Sequence, residues 1–274
     1  MWRLTTEEIA LLLSFTGHPE LGQVFLASES EALLSQTQIQ ERLISATHSL
    51  LAAQHAAVSA DGRILLGSDL AVIAGALTHV PYSMRLTRSY RNVEINLTYH
   101  FAEQQIIAHW LEQGVVHCFE FIKDRLSVAD AATEFLMSEV SVSDEGRSFS
   151  IEDAAFDGIL MPANNREPEQ QFGIAQANGS TTRMFASDTV APRFRGSVLL
   201  VQYPSDSPPV ANAGFLLLAG KTRLWLIEPN PSQKQMVLTT IGALLLREKI
   251  QTLLHTATVL EASQGVQGNA QLAT

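Results

Sequence analysis

One cysteine, Cys118, in 274 residues excludes an internal disulfide and a cysteine-based zinc site. Set between His117 and Phe119 in a strand-like run, it reads as a small apolar filler. Charge is scarce too, and it leans acidic: 28 Asp and Glu against 18 Lys and Arg leave a formal net charge of −10. A chain of that sign is a poor match for a nucleic-acid backbone, because phosphate binding needs a basic face. Arg85, Arg88 and Arg91 are the candidate basic cluster, and in a strand they read as a solvated edge. No stretch approaches the roughly 20 uninterrupted apolar residues of a membrane span. The opening MWRLTTEEIALLLSF carries Glu7 and Glu8 and lacks a basic start and a small-residue cleavage site, so it does not read as a secretory leader and the expected compartment is the cytoplasm.

Catalytic signatures are missing as well. The chain has no Gly-x-Ser-x-Gly elbow, no phosphate-binding Gly-rich loop, no Gly-x-Gly-x-x-Gly and no His-Glu-x-x-His. Ser68 reads as a helix cap and Ser180 as loop. Glu152-Asp153 with Asp157 reads as acidic bias at a helix start rather than a catalytic carboxylate pair. The expectation is a protein without catalysis and without a cofactor.

What the chain does have is strand pattern. Val93, Ile95, Leu97, Tyr99 and Phe101 alternate with Glu94, Asn96, Thr98 and His100, the period of a half-buried strand. Gln104–Leu111 and Val115–Ile122 follow, parted by Glu112-Gln113-Gly114, where glycine suits a tight turn. Tyr82–Ile122 therefore reads as an antiparallel meander. Arg193–Glu228 reads as a degenerate second copy, with SVLLVQY, GFLLL and LWLIE as strands and Gly220-Lys221-Thr222 as a turn. Each copy needs its apolar face covered, and the flanking helices are the candidates.

Those helices have recognisable ends. Thr5 and Glu8 have the spacing of a capping box, and the stripe of Ile9, Leu12 and Leu13 stops near Gly17-His18-Pro19. A helix is expected over about 37–54, then a hairpin at Asp61-Gly62, then a helix from Ser68 that ends before Pro81. That helix–hairpin–helix order resembles a winged-helix unit. A further helix is expected over Ser127–Ser138, and a last one from Asn230-Pro231-Ser232 to Leu254. The run Pro162–Pro192, rich in Asn, Gln, Ser and Gly, reads as a long surface loop. The resulting division is an N-terminal half, 1–142, a C-terminal half, 143–258, and a flexible tail, 259–274, in two domains or one continuous one.

One cluster could carry metal chemistry. If the turns fix the register, His109 lies opposite His117, with His100 on the same face, close enough for imidazoles to share an ion. The competing reading is the polar face of a sheet, and no carboxylate is placed to orient the rings.

The order of these segments, SADGRILLGSDLAVIAGAL before Pro81, a meander and helix, then SVLLVQY, GFLLLAGKTRLWLIEP and a terminal helix, resembles the EspG-like proteins of type VII secretion. The likeness spans about Leu4 to Leu254 and rests on order and hydrophobic pattern. It implies an α+β fold: a central antiparallel sheet of two pseudo-symmetric meanders flanked by helical bundles. It also implies a cytosolic, non-catalytic chaperone for helical secretion substrates. The expected partner is thus a helical protein, with no contact residues to carry over. The alternatives are a winged-helix regulator binding DNA through residues 37–91, and a metal-binding protein or enzyme using the histidines. Salt-dependent retention on DNA would favour the regulator, and stoichiometric zinc lost in His109→Ala would favour the metal site.

Overall fold

The computed structural model describes residues 1–28, 34–91, 93–102, 105–138, 140, 142, 146–152, 156, 179–190, 192–204 and 208–271. In chain order these form β1 (Trp2–Leu4), α1 (Thr6–Phe15), α2 (Pro19–Ser28), α3 (Gln36–Ala52), β2 (Ala56–Val58), β3 (Ile64–Leu66), α4 (Ser68–Thr78), β4 (Tyr82–Tyr90), β5 (Val93–Ala102), β6 (Gln105–Glu112), β7 (Val116–Ile122), α5 (Arg125–Met137), β8 (Ser148–Glu152), α6 (Gly179–Val190), β9 (Phe194–Gln202), β10 (Val210–Ala219), β11 (Leu224–Asn230), β12 (Gln235–Thr240) and α7 (Ala243–Gln271). Ten strands make one sheet in the order β1-β7-β6-β5-β4-β9-β10-β11-β12-β8, and β2 pairs with β3 alone. Outward from β4 and from β9, each side is a four-strand meander ended by a strand from earlier in the chain, β1 on one side and β8 on the other. The expected α+β architecture, a large antiparallel sheet with helices, is the observed one.

The chain divides into two compact units, one of Met1–Ser83, Leu97–Lys123 and Tyr203–Ser207, the other of Met84–Asn96, Asp124–Gln202 and Pro208–Thr274. The first is built on the capping box at Thr5. Thr5 Oγ1 accepts from the Glu8 N–H at 3.2 Å, and Glu8 Oε2 accepts from the Thr5 N–H at 2.9 Å. The second oxygen of Glu8 accepts from the Ser49 hydroxyl at 2.6 Å, so the cap also fastens α1 to α3. Ile9, Leu12 and Leu13 of α1 then meet Leu50, Leu70 and Ile73 in a core closed by Leu4, Ile107 and Phe119 of the sheet. The hairpin at Asp61-Gly62 forms as expected, with Gly62 at φ +80°. Ser68 is not the cap of α4. Gly67 holds that position without a side-chain bond, and a Cβ there would make a tight contact of 3.2 Å with the His55 carbonyl.

The second unit corrects two expectations. Asn230-Pro231-Ser232 opens a hairpin loop, not a helix. Lys234 at φ +50° turns the chain, Asn230 pairs with Gln235, and Gln235–Thr240 continues as β12. Asn-Pro-Ser suits either start. What decides is the β-branched run Val237, Thr239, Thr240 and the burial of Leu238 against Trp225 and Ile227. Part of the polar run 162–192 is likewise a helix, α6, while 157–178 lie outside the described residues. Thr182, Phe185 and Asp188 are buried at helical spacing along α6, a stripe too polar to register as amphipathic.

Asp188 is what holds α6 to the β10–β11 hairpin. It accepts from Arg223 Nε at 2.8 Å and from the Trp225 indole N–H at 2.9 Å, and its carboxylate is almost wholly buried. Gly220 makes the room, for a Cβ there would sit 2.2 Å from the Asp188 carboxyl carbon. Replacing Asp188 by Ala leaves the partly buried Arg223 guanidinium and the buried Trp225 indole N–H without their acceptor, and we expect a loss of about 2–4 kcal/mol in urea unfolding. Asp188→Asn, which keeps an acceptor, is expected to cost less. A loss under about 1 kcal/mol in Asp188→Ala would show that the pair is dispensable.

Candidate functional site

The three histidines singled out by the sequence do come together in the first unit, in a different register. Gln113 (φ +53°) and Gly114 (φ +75°) turn the chain, with the Val115 N–H bonded to the Glu112 carbonyl at 3.2 Å. Glu112 therefore pairs with Val116, which sets His109 opposite Phe119 and His117 opposite Leu111. The departure from the expected His109–His117 pair is two residues, so the face is kept and the rings meet diagonally. His109 Nε2 lies 2.9 Å from His117 Nδ1, and His117 Nε2 lies 3.2 Å from Thr6 Oγ1. His100 pairs with Ile107, and its ring centroid is 5.8 Å from that of His109.

This is not the polar, solvated face of a sheet. His100 and His117 are buried, Thr6 of α1 and Phe25 of α2 reach His117, and His109 stacks on Phe119 with centroids 4.4 Å apart. Burial first, then the neighbouring His100 and His117, push His109 down to a pKa of about 3. It is neutral at pH 7. Thr6, His117 and His109 form a hydrogen-bonded row that uses both nitrogens of His117, and a metal ion would have to displace it. Among the described residues no group of three or more His, Cys, Asp or Glu is arranged to hold a metal ion. Cys118 lies on the other face of β7, buried, 3.5 Å from Glu112 Oε2, and burial pushes its thiol pKa up. A protonated, inaccessible thiol is a filler, not a nucleophile.

The cluster Arg85, Arg88 and Arg91 does not form a solvated edge. β4 lies inside the sheet, between β5 and β9, so its pleat sends Arg85 and Arg88 to opposite faces, and Arg91 stands in the turn at φ +52°. Arg88 has a packing role. Its guanidinium donates to the Phe135 carbonyl at 3.0 Å, to the Ser138 carbonyl at 3.1 Å and to the Ser138 hydroxyl, and lies 4.6 Å above the Phe194 ring. These are carbonyls of the last turn of α5, which a helix cannot satisfy by itself.

Where α5 stops, a groove of about 510 Å³ opens, lined by Arg88, Tyr90, Val93, Ile95, Ser138, Val140, Arg193 and Phe194, all in the second unit. Tyr90 is 49%, Val93 61% and Ile95 47% exposed, although all three lie on apolar stripes of their strands. On the opposite face Thr87 bonds Asn96 at 2.8 Å, the ordinary polar finish of a solvated surface. The alternation on β5 pointed to Val93 and Ile95 as buried. Nothing in the alternation itself could show that these two stay exposed, because the period is the same for a covered and an uncovered strand face.

Residues 30–250 match the model of the family described as uncharacterised protein YfjC. No curated protein matches the chain. Among solved structures it is similar to the Mycobacterium tuberculosis type VII secretion system chaperone EspG5, solved in complex with a PE25-PPE41 dimer. The TM-score is 0.58 and the identity 11%, over 76% of this chain and 83% of that one. At that identity the likeness is one of fold.

The histidine row has a consequence in acid. His109 folds with a pKa of about 3 against an ordinary 6.5, so the unfolded chain takes up a proton that the folded chain refuses. Its contribution is complete above pH 6.5 and is lost as the pH falls from 6.5 toward 3, by up to about 1.4 kcal/mol per pH unit. We expect His109→Phe, which keeps the ring stack but cannot titrate, to show a shallower decline of the urea midpoint over that window. An identical slope would contradict the assignment.

Proposed function

We propose that this chain, which belongs to the family described as uncharacterised protein YfjC, is a non-catalytic adaptor or secretion chaperone that binds a helical protein partner in the cytosol. The observation that carries this reading is the groove beyond α5, where Tyr90, Val93 and Ile95 leave an apolar strip of sheet in contact with water. Covered sheet faces in this fold are covered by helices, so a partner helix would continue the layer that α5 begins. The fold likeness to EspG5, a chaperone solved with a protein dimer bound, supports the same reading. Among the described residues no helix is long and apolar enough to cross a membrane.

Full burial of a side chain the size of Ile or Val is worth about 1.5–3 kcal/mol, so a charge at the centre of such a seat should weaken binding by more than tenfold. The test is capture of partners from native cell lysate by the tagged wild-type chain, by Ile95→Asp and by Leu244→Asp. Leu244 is 80% exposed on α7 and does not line the groove. We expect one stoichiometric partner, retained by Leu244→Asp and lost by Ile95→Asp. Equal retention by both variants would move the partner to another surface, and no partner at all would overturn the adaptor reading.

A further inference from the structure

We propose that His18 and His79, both in the first unit, form an open two-histidine site for a late divalent transition-metal ion such as Cu2+ or Zn2+. The backbone fixes each residue. His18 stands in the tight turn between α1 and α2, after Gly17 at φ +88°, and its N–H donates to the Leu13 carbonyl at 2.8 Å. His79 follows the last residue of α4, and its N–H donates to the Gly75 carbonyl at 2.8 Å. α1 and α4 share one core, and the two rings meet beside it with centroids 4.8 Å apart. The C-terminal end of α4 favours a cation, because its last carbonyls carry partial negative charge.

A neutral imidazole ligates through its bare nitrogen, so the tautomer decides which atom can bind. The Thr78 hydroxyl has one proton, which it donates to the Ala74 carbonyl at 3.0 Å. With that proton engaged, Thr78 Oγ1 accepts from His79 Nδ1, 2.6 Å away, and His79 presents Nε2 as a lone pair. His79 is exposed and His18 half-buried. Among the described residues neither the His18 ring nor His79 Nε2 is taken up by a hydrogen bond. An ion can therefore reach this pair without displacing anything, unlike the buried row of His109 and His117. The spacing fits as well. A nitrogen about 2.0–2.1 Å from the ion puts its ring centre about 3.2 Å away, so two rings at about 90–110° stand about 4.5–5.2 Å apart, which brackets the observed 4.8 Å. Imidazole suits Cu2+, Zn2+ and Ni2+ and not the hard cation Mg2+. Among the described residues no third His, Cys, Asp or Glu completes the set. The other positions on the ion are left to water or to a donor atom from another molecule, which makes the ion exchangeable.

The experiment is isothermal titration calorimetry of the tag-free, chelator-treated full chain with Cu2+, Zn2+ and Mg2+. We expect one ion per chain, Cu2+ held more tightly than Zn2+, and no binding of Mg2+. His18→Ala and His79→Ala should each abolish that stoichiometric binding, while His48→Ala, which removes an exposed histidine of α3, should leave it unchanged. Thr78→Val, which removes the acceptor for Nδ1, should weaken binding by about tenfold, and Thr78→Ser should restore it. Electron paramagnetic resonance of the Cu2+ complex should show coupling to two imidazole nitrogens. No stoichiometric uptake of Cu2+ and Zn2+, uptake that survives both histidine variants, or coupling to a single imidazole overturns the site. An equal loss in His48→Ala reduces it to scattered surface capture, and an unchanged affinity in Thr78→Val overturns the tautomer assignment. Circular dichroism spectra matching wild type keep the variants comparable.

Discussion

An apolar sheet face has to be kept from water, and in the second unit the covering helix ends where Arg88 fastens it. The guanidinium satisfies carbonyls of the last turn of α5 and rests on Phe194, so the helix cannot run on over β5 without giving up those bonds. Tyr90, Val93 and Ile95 are left exposed as a result. A surface of this kind costs free energy in the isolated chain, and a partner that covers it recovers that cost on binding. The groove follows from the helix end, and the functional reading follows from the groove.

Much of the fold can be read from local chemistry. Thr5 with Glu8, Asp61-Gly62, and the alternation from Val93 to Phe101 each point to one structure, and each forms. Misreadings arise where local signals are shared between two outcomes. Asn230-Pro231-Ser232 serves a helix start and a hairpin loop equally, and burial of Leu238 against Trp225 settles the matter at long range. α6 is invisible because the residue that anchors it is Asp188, whose partners Arg223 and Trp225 lie 35 and 37 positions away.

The candidate sites divide along the same line. Pleat parity placed His100, His109 and His117 on one face whichever even register the turn chose, so their company was legible and their exact pairing was not. That the face is covered by α1 and α2, which makes the row a buried hydrogen-bonded device, required the tertiary structure. The groove could not be found from sequence at all. Its apolar residues look like core, and Arg88 looks like a surface charge.

Membership in the YfjC family and likeness to the EspG5 fold describe ancestry and architecture, while the claim about function stands on one uncovered strip of side chains. Hydroxyl-radical footprinting of the free chain and of its purified complex reads that strip directly, with Tyr90 as the reporter because its ring is half exposed in the free protein. The account predicts that oxidation of Tyr90 falls several-fold in the complex while exposed apolar residues outside the groove, such as Leu244, react as before. A stable complex in which Tyr90 reacts as fast as in the free chain would contradict it.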